Sequence, residues 1–449
     1  MRVSPQRVSE IGERERAAFA AARPRSRQLA QQSAAHWLSG VPLHWMQDWP
    51  SPFPLFIREA RGAVLTDVDE HRYLDFCLGD TGAMFGHSPE PVARAIAAQA
   101  TRGLTAMLPG ERVARVGERL AALFGLPFWQ ITQTATDANR ALLRYARAIT
   151  GRQRILVFNG SYHGSVDETL VRLAGSRSIP RPGLIGAAFA VHEHSSVVEF
   201  NDVPALQAAL AAGDIACVLA EPVMTNAGMV LPDPGFHAEL RALTRRCGTL
   251  LAIDETHTLS SGLGGYTRGQ GLAPDFFICG KAIAGGLPCA VFGFTAEVEA
   301  RIRALLDARG GGHSGMGTTL AANLLSLAAL EATLAEVMSA ASYAAMEARA
   351  IELEHGLREL ILRRQLPWQV SRVGARCEFG FTATPPRNGS ESLAAMQPEL
   401  EALLHLYLLN RGVLLTPFHN MMLCSPVTPG GAVGRLLSAL EAAVQELQA

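Results

Sequence analysis

The chain has 449 residues, 48% of them hydrophobic, with 40 Lys+Arg against 41 Asp+Glu. That length can bury a large core and suits two or three domains, while a net charge of -1 gives no footing for nucleic acid or an anionic membrane. No uninterrupted apolar run reaches the ~18 residues of a spanning helix.

The N-terminal stretch "MRVSPQRVSEIGERERAAFAAARPRSRQLA" mixes Arg with Glu10, Glu13 and Glu15 and has no apolar h-region. It reads as a surface helix rather than a signal or transit peptide. A β-like stretch, "AVLTDVDEHRYLDF", follows. Between about residues 125 and 295, short β-rich runs alternate with helical ones. The strand candidates are "FWQIT" (128–132), "RILVFNG" (154–160), "ACVLAEPV" (216–223), "TLLAIDE" (249–255), "FFICGK" (276–281) and "AVFGFT" (290–295). Helices are expected over 137–150 and 236–248. In the first, Leu142, Leu143, Ala146 and Ile149 share a face, and Gly151 is a stop. This alternation predicts a mostly parallel sheet covered on both faces.

A Gly-rich loop (308–319) leads into a long Ala/Leu/Glu helical region reaching about residue 364, then an α+β tail. The expected division is residues 1–75 as the first part of a small domain, 76–322 as a large domain, and 323–449 as the rest of the small one. Seven cysteines (77, 217, 247, 279, 289, 377, 424) are scattered without CxxC spacing. They read as reduced core residues of a cytoplasmic protein, and no metal site is expected.

The strand "TLLAIDE" poses a chemical question. A parallel strand buried on both faces should stay apolar to its end, yet this one finishes in Asp254 and Glu255. Ligands of open α/β sheets bind beyond the carboxyl ends of the strands. Lys281 stands at another such end, in "ICGKAIAGGLP", followed by small residues. With Tyr162 after a third strand, in "NGSYHG", the set suits pyridoxal phosphate. An Asp keeps the ring nitrogen protonated, a Lys carries the aldehyde carbon, and an aromatic stacks on the ring. A helix cap at Asp254 and a lysine reaching solvent at a sheet edge would explain each residue singly, but not the set.

These residues lie in seven ordered blocks: "GAVLTDVDEHRYLDF", "GHSPEPVARAI", "NGSYHGS", "AEPVMTNAGMVLPDPGF", "LLAIDETHT", "PDFFICGKAIAGGLP" and "GTTLAAN". In order and spacing the chain resembles the class III aminotransferases of fold type I, including glutamate-1-semialdehyde aminomutase and the β-amino-acid aminotransferases. The resemblance implies an α/β fold with a mostly parallel seven-stranded sheet between helices. A smaller α+β domain would be built from both chain ends.

It also implies roles. Lys281 binds the cofactor and then moves the proton between substrate and cofactor. Asp254 pairs with the ring nitrogen, Tyr162 stacks on one face of the ring, and Thr256, where the family has Val, packs on the other. Asn226 meets the cofactor's phenolic oxygen. Glu221 is a polar partner there or a buried structural carboxylate, and His163 is read as structural. Thr134, Ala135 and Thr136 would cup the phosphate at a helix start. Ala135 replaces a family Gly, which would cost about 1 kcal/mol if that position needs φ > 0. Thr318 precedes Thr319, which in the family reaches the phosphate held by the other subunit, so a homodimer with shared active sites is implied. Met84 and Phe85 would line the neighbour's substrate tunnel or simply pack an interface.

The carboxylate-binding arginines of the family are missing at both anticipated places, where Thr416 and Trp45 stand instead. Trp45, Trp49 and Phe53 crowd the entrance segment, and His44, His419 and Asn420 could hydrogen-bond a substrate. The expected reaction is therefore transamination from a hydrophobic or aryl amine or β-amino compound to a small keto acid. Intramolecular transfer, as in glutamate-1-semialdehyde aminomutase, is the alternative; a racemase or decarboxylase is a third. The intact Lys281, Asp254 and Tyr162 oppose a non-catalytic scaffold. A dehydrogenase would need a GxGxxG turn after its first strand, and "SGLGGYTRG" is not so placed.

Overall fold

The computed structural model describes residues 4–309 and 314–449; part of the Gly-rich loop, 310–313, lies outside the described residues. The chain forms two compact units. One comprises Met1–Ser88, Ala344–Pro385 and Ala395–Ala449, and the other Pro89–Tyr343 with Pro386–Ala394. The changeovers follow Ser88 and Tyr343, where residues 75 and 322 were expected. The second lies inside the helix Ala340–Arg363, because the preceding helix Leu324–Ala332 buries Leu327, Ala328, Ala329 and Leu330 before the chain turns at Thr333–Val337.

In chain order the described strands are β1 (Ile57–Arg61), β2 (Val64–Asp67), β3 (Arg72–Asp75), β4 (Phe128–Thr132), β5 (Arg154–Phe158), β6 (Val171–Ala174), β7 (Arg177–Pro180) and β8 (Ser195–Val198). There follow β9 (Ile215–Ala220), β10 (Leu250–Asp254), β11 (Phe276–Cys279), β12 (Ala290–Phe294), β13 (Gln369–Val373), β14 (Arg376–Gly380), β15 (Val413–Leu414) and β16 (Met421–Leu423).

The larger unit holds a seven-stranded sheet in the order β4-β12-β11-β10-β9-β5-β8. Its pairings are parallel from β11 to β8, and β12 runs antiparallel to both of its neighbours. Alternate residues feed two cores. Cys217, Leu219, Ile155, Val157 and Ala252 join the helix Ala135–Thr150 on one face. Val218, Ala220, Leu156, Phe158 and Ile253 meet Leu240 and Leu243 of the helix Phe236–Cys247 on the other. That two-faced burial is what removes polar alternation from these strands. β8 was not read from the sequence, since two of its four residues are Ser. The hairpin β6–β7 was missed as well, its positions being half-exposed with two arginines among them.

The helix Ala135–Thr150 begins two residues before its expected start. The Thr134 hydroxyl accepts from the Asp137 N–H at 3.2 Å, which caps it. Gly151 ends it at φ +71.

The other unit draws on both chain ends. Its sheets are β1-β2-β3-β15 and β13-β14-β16, with β15 parallel to β3. Ile11 and Phe76 share a core with Leu353, Trp368, Leu404 and Leu436. Two aromatics of the proposed entrance are used in packing here. Phe53 lies 5.1 Å from the Phe19 ring, and Trp49 packs against the same cluster. They therefore do not support an aryl pocket. Trp45 is exposed in the turn His44–Gln47. Among the described residues, no single helix is long and apolar enough to cross a membrane.

Candidate active site

β10 and β11 are neighbours, with Asp254 opposite Ile278. Their ends thus bring Asp254 and the segment carrying Lys281 to one edge of the sheet. The two acids that end β10 part company. Glu255 is fully buried and accepts from the Thr258 hydroxyl at 2.6 Å and the Tyr266 N–H at 3.1 Å, and also from the Thr267 N–H. Burial pushes its carboxyl up despite those bonds. A Cβ on Gly265 would lie 2.9 Å from this carboxylate, so the turn needs glycine. Glu255 knits the loop after β10.

Asp254 faces the site. Its Oδ2 accepts from Asn139 Nδ2 at 3.1 Å and pairs with His163 Nδ1 at 3.0 Å, and its Oδ1 accepts from the Thr256 N–H at 3.1 Å. Burial alone would raise this carboxyl. The hydrogen bond and charge of His163, with the bonds from Thr256 and Asn139, outweigh burial and hold it below the usual carboxylate range. The hydrogen bonds thus favour the charged form of a carboxyl in a buried place. Around it Asn139 Oδ1, His163 Nε2 and Thr256 Oγ1 are buried without a protein hydrogen-bond partner. That donor and acceptor set fits the protonated nitrogen and polar edge of a pyridine ring.

Lys281 opens a short turn, Lys281–Ala284, with φ +51, a conformation a side-chain-bearing residue adopts only under constraint. Its Nζ is 2.8 Å from His257 Nε2. Just before it, a Cβ on Gly280 would approach Ala135 Cβ to 3.0 Å, so the lysine turn packs on the start of the helix Ala135–Thr150. Thr134, Ala135 and Thr136 form that start, where N–H groups without intrahelical partners suit a phosphate. The concern over Ala135 is resolved. It is the first helical residue and is not among those with positive φ, so no glycine is required. The Thr136 hydroxyl accepts from the Ser165 N–H at 3.2 Å, and Thr318 Oγ1 donates to Gln133 Oε1 at 3.0 Å.

The other expected residues fall as follows. Tyr162 is 42% exposed, leaving its ring accessible. Glu221 accepts from the Tyr162 N–H at 3.2 Å, the Thr225 N–H at 3.0 Å, the Thr225 hydroxyl at 2.6 Å and Asn226 Nδ2 at 3.1 Å. It ties the Tyr162 loop to the loop after β9. Thr319 is exposed. Met84, Phe85 and His419 are buried in the other unit, where His419 Nδ1 meets Glu378 Oε1 at 2.9 Å. Thr416 is also fully buried. Arg376 donates to the Thr81 hydroxyl at 2.6 Å, and Arg411 pairs with Glu15 at 3.0 Å. Asn139 and His257 receive no role from the sequence, and His163, read there as structural, instead bonds Asp254. His257 lies within the quoted strand-end motif, and Asn139 sits on the helix directly after the phosphate-site residues, so position alone could have flagged both.

A buried carboxyl and a lysine at adjacent strand ends, beside a helix start, are what an α/β enzyme using pyridoxal phosphate is expected to present. The chain belongs to the class-III aminotransferase family, whose model matches residues 45–429. It is 32% identical over 405 residues to the glutamate-1-semialdehyde 2,1-aminomutase of Syntrophomonas wolfei, covering 88% of this chain and 91% of that protein. Its fold matches the crystal structure of a glutamate-1-semialdehyde-aminomutase from Pseudomonas aeruginosa PAO1 with TM-score 0.97 and 50% identity, over 99% of both chains. A lysine-to-alanine variant of that protein has been solved in complex with PMP. A β-phenylalanine aminotransferase from Variovorax paradoxus matches with TM-score 0.87 and 26% identity, over 98% of this chain and 97% of that one.

Proposed function

We propose that this chain is a pyridoxal-phosphate enzyme that moves an amino group within one small, carboxylate-bearing substrate, as a glutamate-1-semialdehyde aminomutase does. The carrying observation is the Asp254–Lys281 pair at adjacent strand ends. Preference for internal transfer rests on the similarity to aminomutases, which exceeds that to the β-phenylalanine aminotransferase. The packing of Trp49 and Phe53 against a core cluster weakens the case for an aryl amine donor.

When bound, the cofactor supplies an electron sink for the pair left as the substrate's Cα–H bond breaks. Asp254 holds the ring-nitrogen proton, and His163 and Asn139 fix the carboxylate that does so. Lys281 would hold the aldehyde carbon of the bound cofactor, and its freed amine would take up and return the protons that leave and rejoin the substrate carbons. His257, at 2.8 Å, orients the lysine nitrogen. N–H groups at the start of Ala135–Thr150 hold the phosphate with Thr134 and Thr136, and Tyr162 and Thr256 enclose the ring.

The working form in this reading is a cytoplasmic homodimer. Met107, Leu108, Val113 and Phe128 are exposed apolar side chains lining the same depression as Thr318 and Thr319, which suits cover by a second copy and delivery of Thr319 to its phosphate site.

The test is to give the loaded protein glutamate-1-semialdehyde with no second substrate. Conversion to the isomeric amino ketone is expected. Turnover only when a separate amine and a keto acid such as pyruvate are both present would replace this reading with intermolecular transamination.

A further inference from the structure

Arg172 in β6 and Arg181, the residue just after β7, are two arginines that the chemistry above does not use. In the register of the β6–β7 hairpin Arg172 faces Ile179, so Arg181, two residues further on, is its diagonal neighbour on the same face. Arg181 is tied to the hairpin by its N–H, which donates to Leu170 O at 2.8 Å. Its guanidinium carbon lies 5.5 Å from the centroid of the Tyr162 ring. Arg172 Nη1 donates to Val171 O at 2.9 Å and Ser161 O at 3.3 Å, so it reaches the residue just before Tyr162.

Neither guanidinium has a carboxylate partner among the described residues. The acid that acts on Arg172 is Glu221, and both of its oxygens are already taken by Tyr162, Thr225 and Asn226. Burial lowers Arg172 to about 10, with the charge of Arg181 adding to the effect; burial also lowers Arg181. Two partly desolvated like charges side by side are unfavourable unless an anion joins them. Paired guanidiniums match a carboxylate through two-pronged hydrogen bonds. Their place is set by chain continuity: Tyr162 is followed by His163, which bonds Asp254. The helix start at Thr134–Thr136 is assigned to the cofactor's phosphate, leaving a second anion for this pair.

We propose that Arg172 and Arg181 form the site for the substrate's carboxylate. The inference rests on the pyridoxal-phosphate reading and makes the enzyme selective for amino acids over simple amines. It also supplies the cation missing at Thr416 and Trp45.

The probes are 4-aminobutyrate, whose amine and carboxylate are separated as in glutamate-1-semialdehyde, and propylamine, which lacks the carboxylate. Apparent Kd for each is read from the cofactor absorbance in the parent and in Arg172→Gln, Arg181→Gln, Arg172→Lys and Arg181→Lys. Each Gln variant should weaken 4-aminobutyrate by roughly 10- to 100-fold and leave propylamine nearly unchanged, with partial recovery in the Lys variants. In the parent, 4-aminobutyrate should also protect both arginines from phenylglyoxal, mapped by peptide mass. Borohydride reduction followed by intact mass is the control. Lys281 is the only lysine in the chain, so a pyridoxyl adduct on a lysine reports that residue alone. A parent without the adduct overturns the cofactor reading and this inference with it. An intact adduct with equal losses for both probes, or no arginine protection, overturns this inference alone.

Discussion

His163 Nδ1 stands 3.0 Å from Asp254 Oδ2, and their side chains are 0% and 5% exposed. The Asn139 amide reaches the same oxygen, so these partners lower a carboxyl that burial alone would raise, and aim it. Asp254→Asn keeps the shape and removes the charge. Turnover should fall by at least roughly a hundredfold, each tenfold being about 1.4 kcal/mol. The cofactor spectrum should shift as the ring nitrogen loses its proton. An unchanged rate and spectrum would remove Asp254 from the site.

Lys281→Ala should abolish turnover and the reducible adduct while leaving the fold intact. Both residues would occupy φ +51, so backbone strain is similar and the melting temperature should hardly move. Near-parent turnover in this variant would sink the cofactor assignment.

Gly164 has φ +82, and a Cβ there would lie 2.0 Å from the Thr136 hydroxyl. Gly164→Ala should therefore push the phosphate-site helix start aside. A loss of roughly 1–3 kcal/mol in stability is expected, with weaker cofactor binding. Calorimetry and cofactor titration measure the two effects, and a variant matching the parent in both would refute the close approach.

Glu401 and His405 are buried titratable groups of the smaller unit. Burial, with Glu378 nearby, raises Glu401 to about 7, against the opposing effect of His419. Burial lowers His405 to about 4, against its bond to Asn420 and with help from His419. A carboxyl raised on folding contributes stability that is complete below its unfolded value and lost as pH rises through about 7. A histidine lowered on folding loses stability as pH falls from its unfolded value towards about 4. Melting should therefore be most resistant in mildly acidic buffer and decline towards about pH 8. Glu401→Gln should flatten that alkaline decline, worth at most roughly 3 kcal/mol, and leave the acid side in place. An unaltered alkaline slope would contradict this.

Much of this protein was legible in its residues. "FWQIT" is β4 end for end, and the cores of five further strands lie inside the runs read from apolar content. Lys281 and Asp254 stand out in the sequence by their places at the ends of apolar runs, and they lie beyond neighbouring strands. Such features are local: strand burial shows as an apolar run, and a motif keeps its spacing along the chain.

What the tertiary structure decided depends on pairings between distant segments. β8 and the β6–β7 hairpin gain their identity from partners, so short Ser- and Arg-containing stretches gave no periodic signal. Whether Glu255 or Asp254 faces the site follows from the loop that Tyr266 and Thr267 close. Trp49 and Phe53 are half-buried against a cluster that holds Phe19, far off in sequence, whose ring meets Phe53. Arg172 and Arg181 are ordinary arginines in the sequence. They become a paired cation only when the hairpin register sets them diagonally on one face and the fold places Tyr162 beneath Arg181. Residue types and spacing therefore carry the family. The facing of side chains, set by long-range strand pairing and burial, decided which charges are left for a substrate.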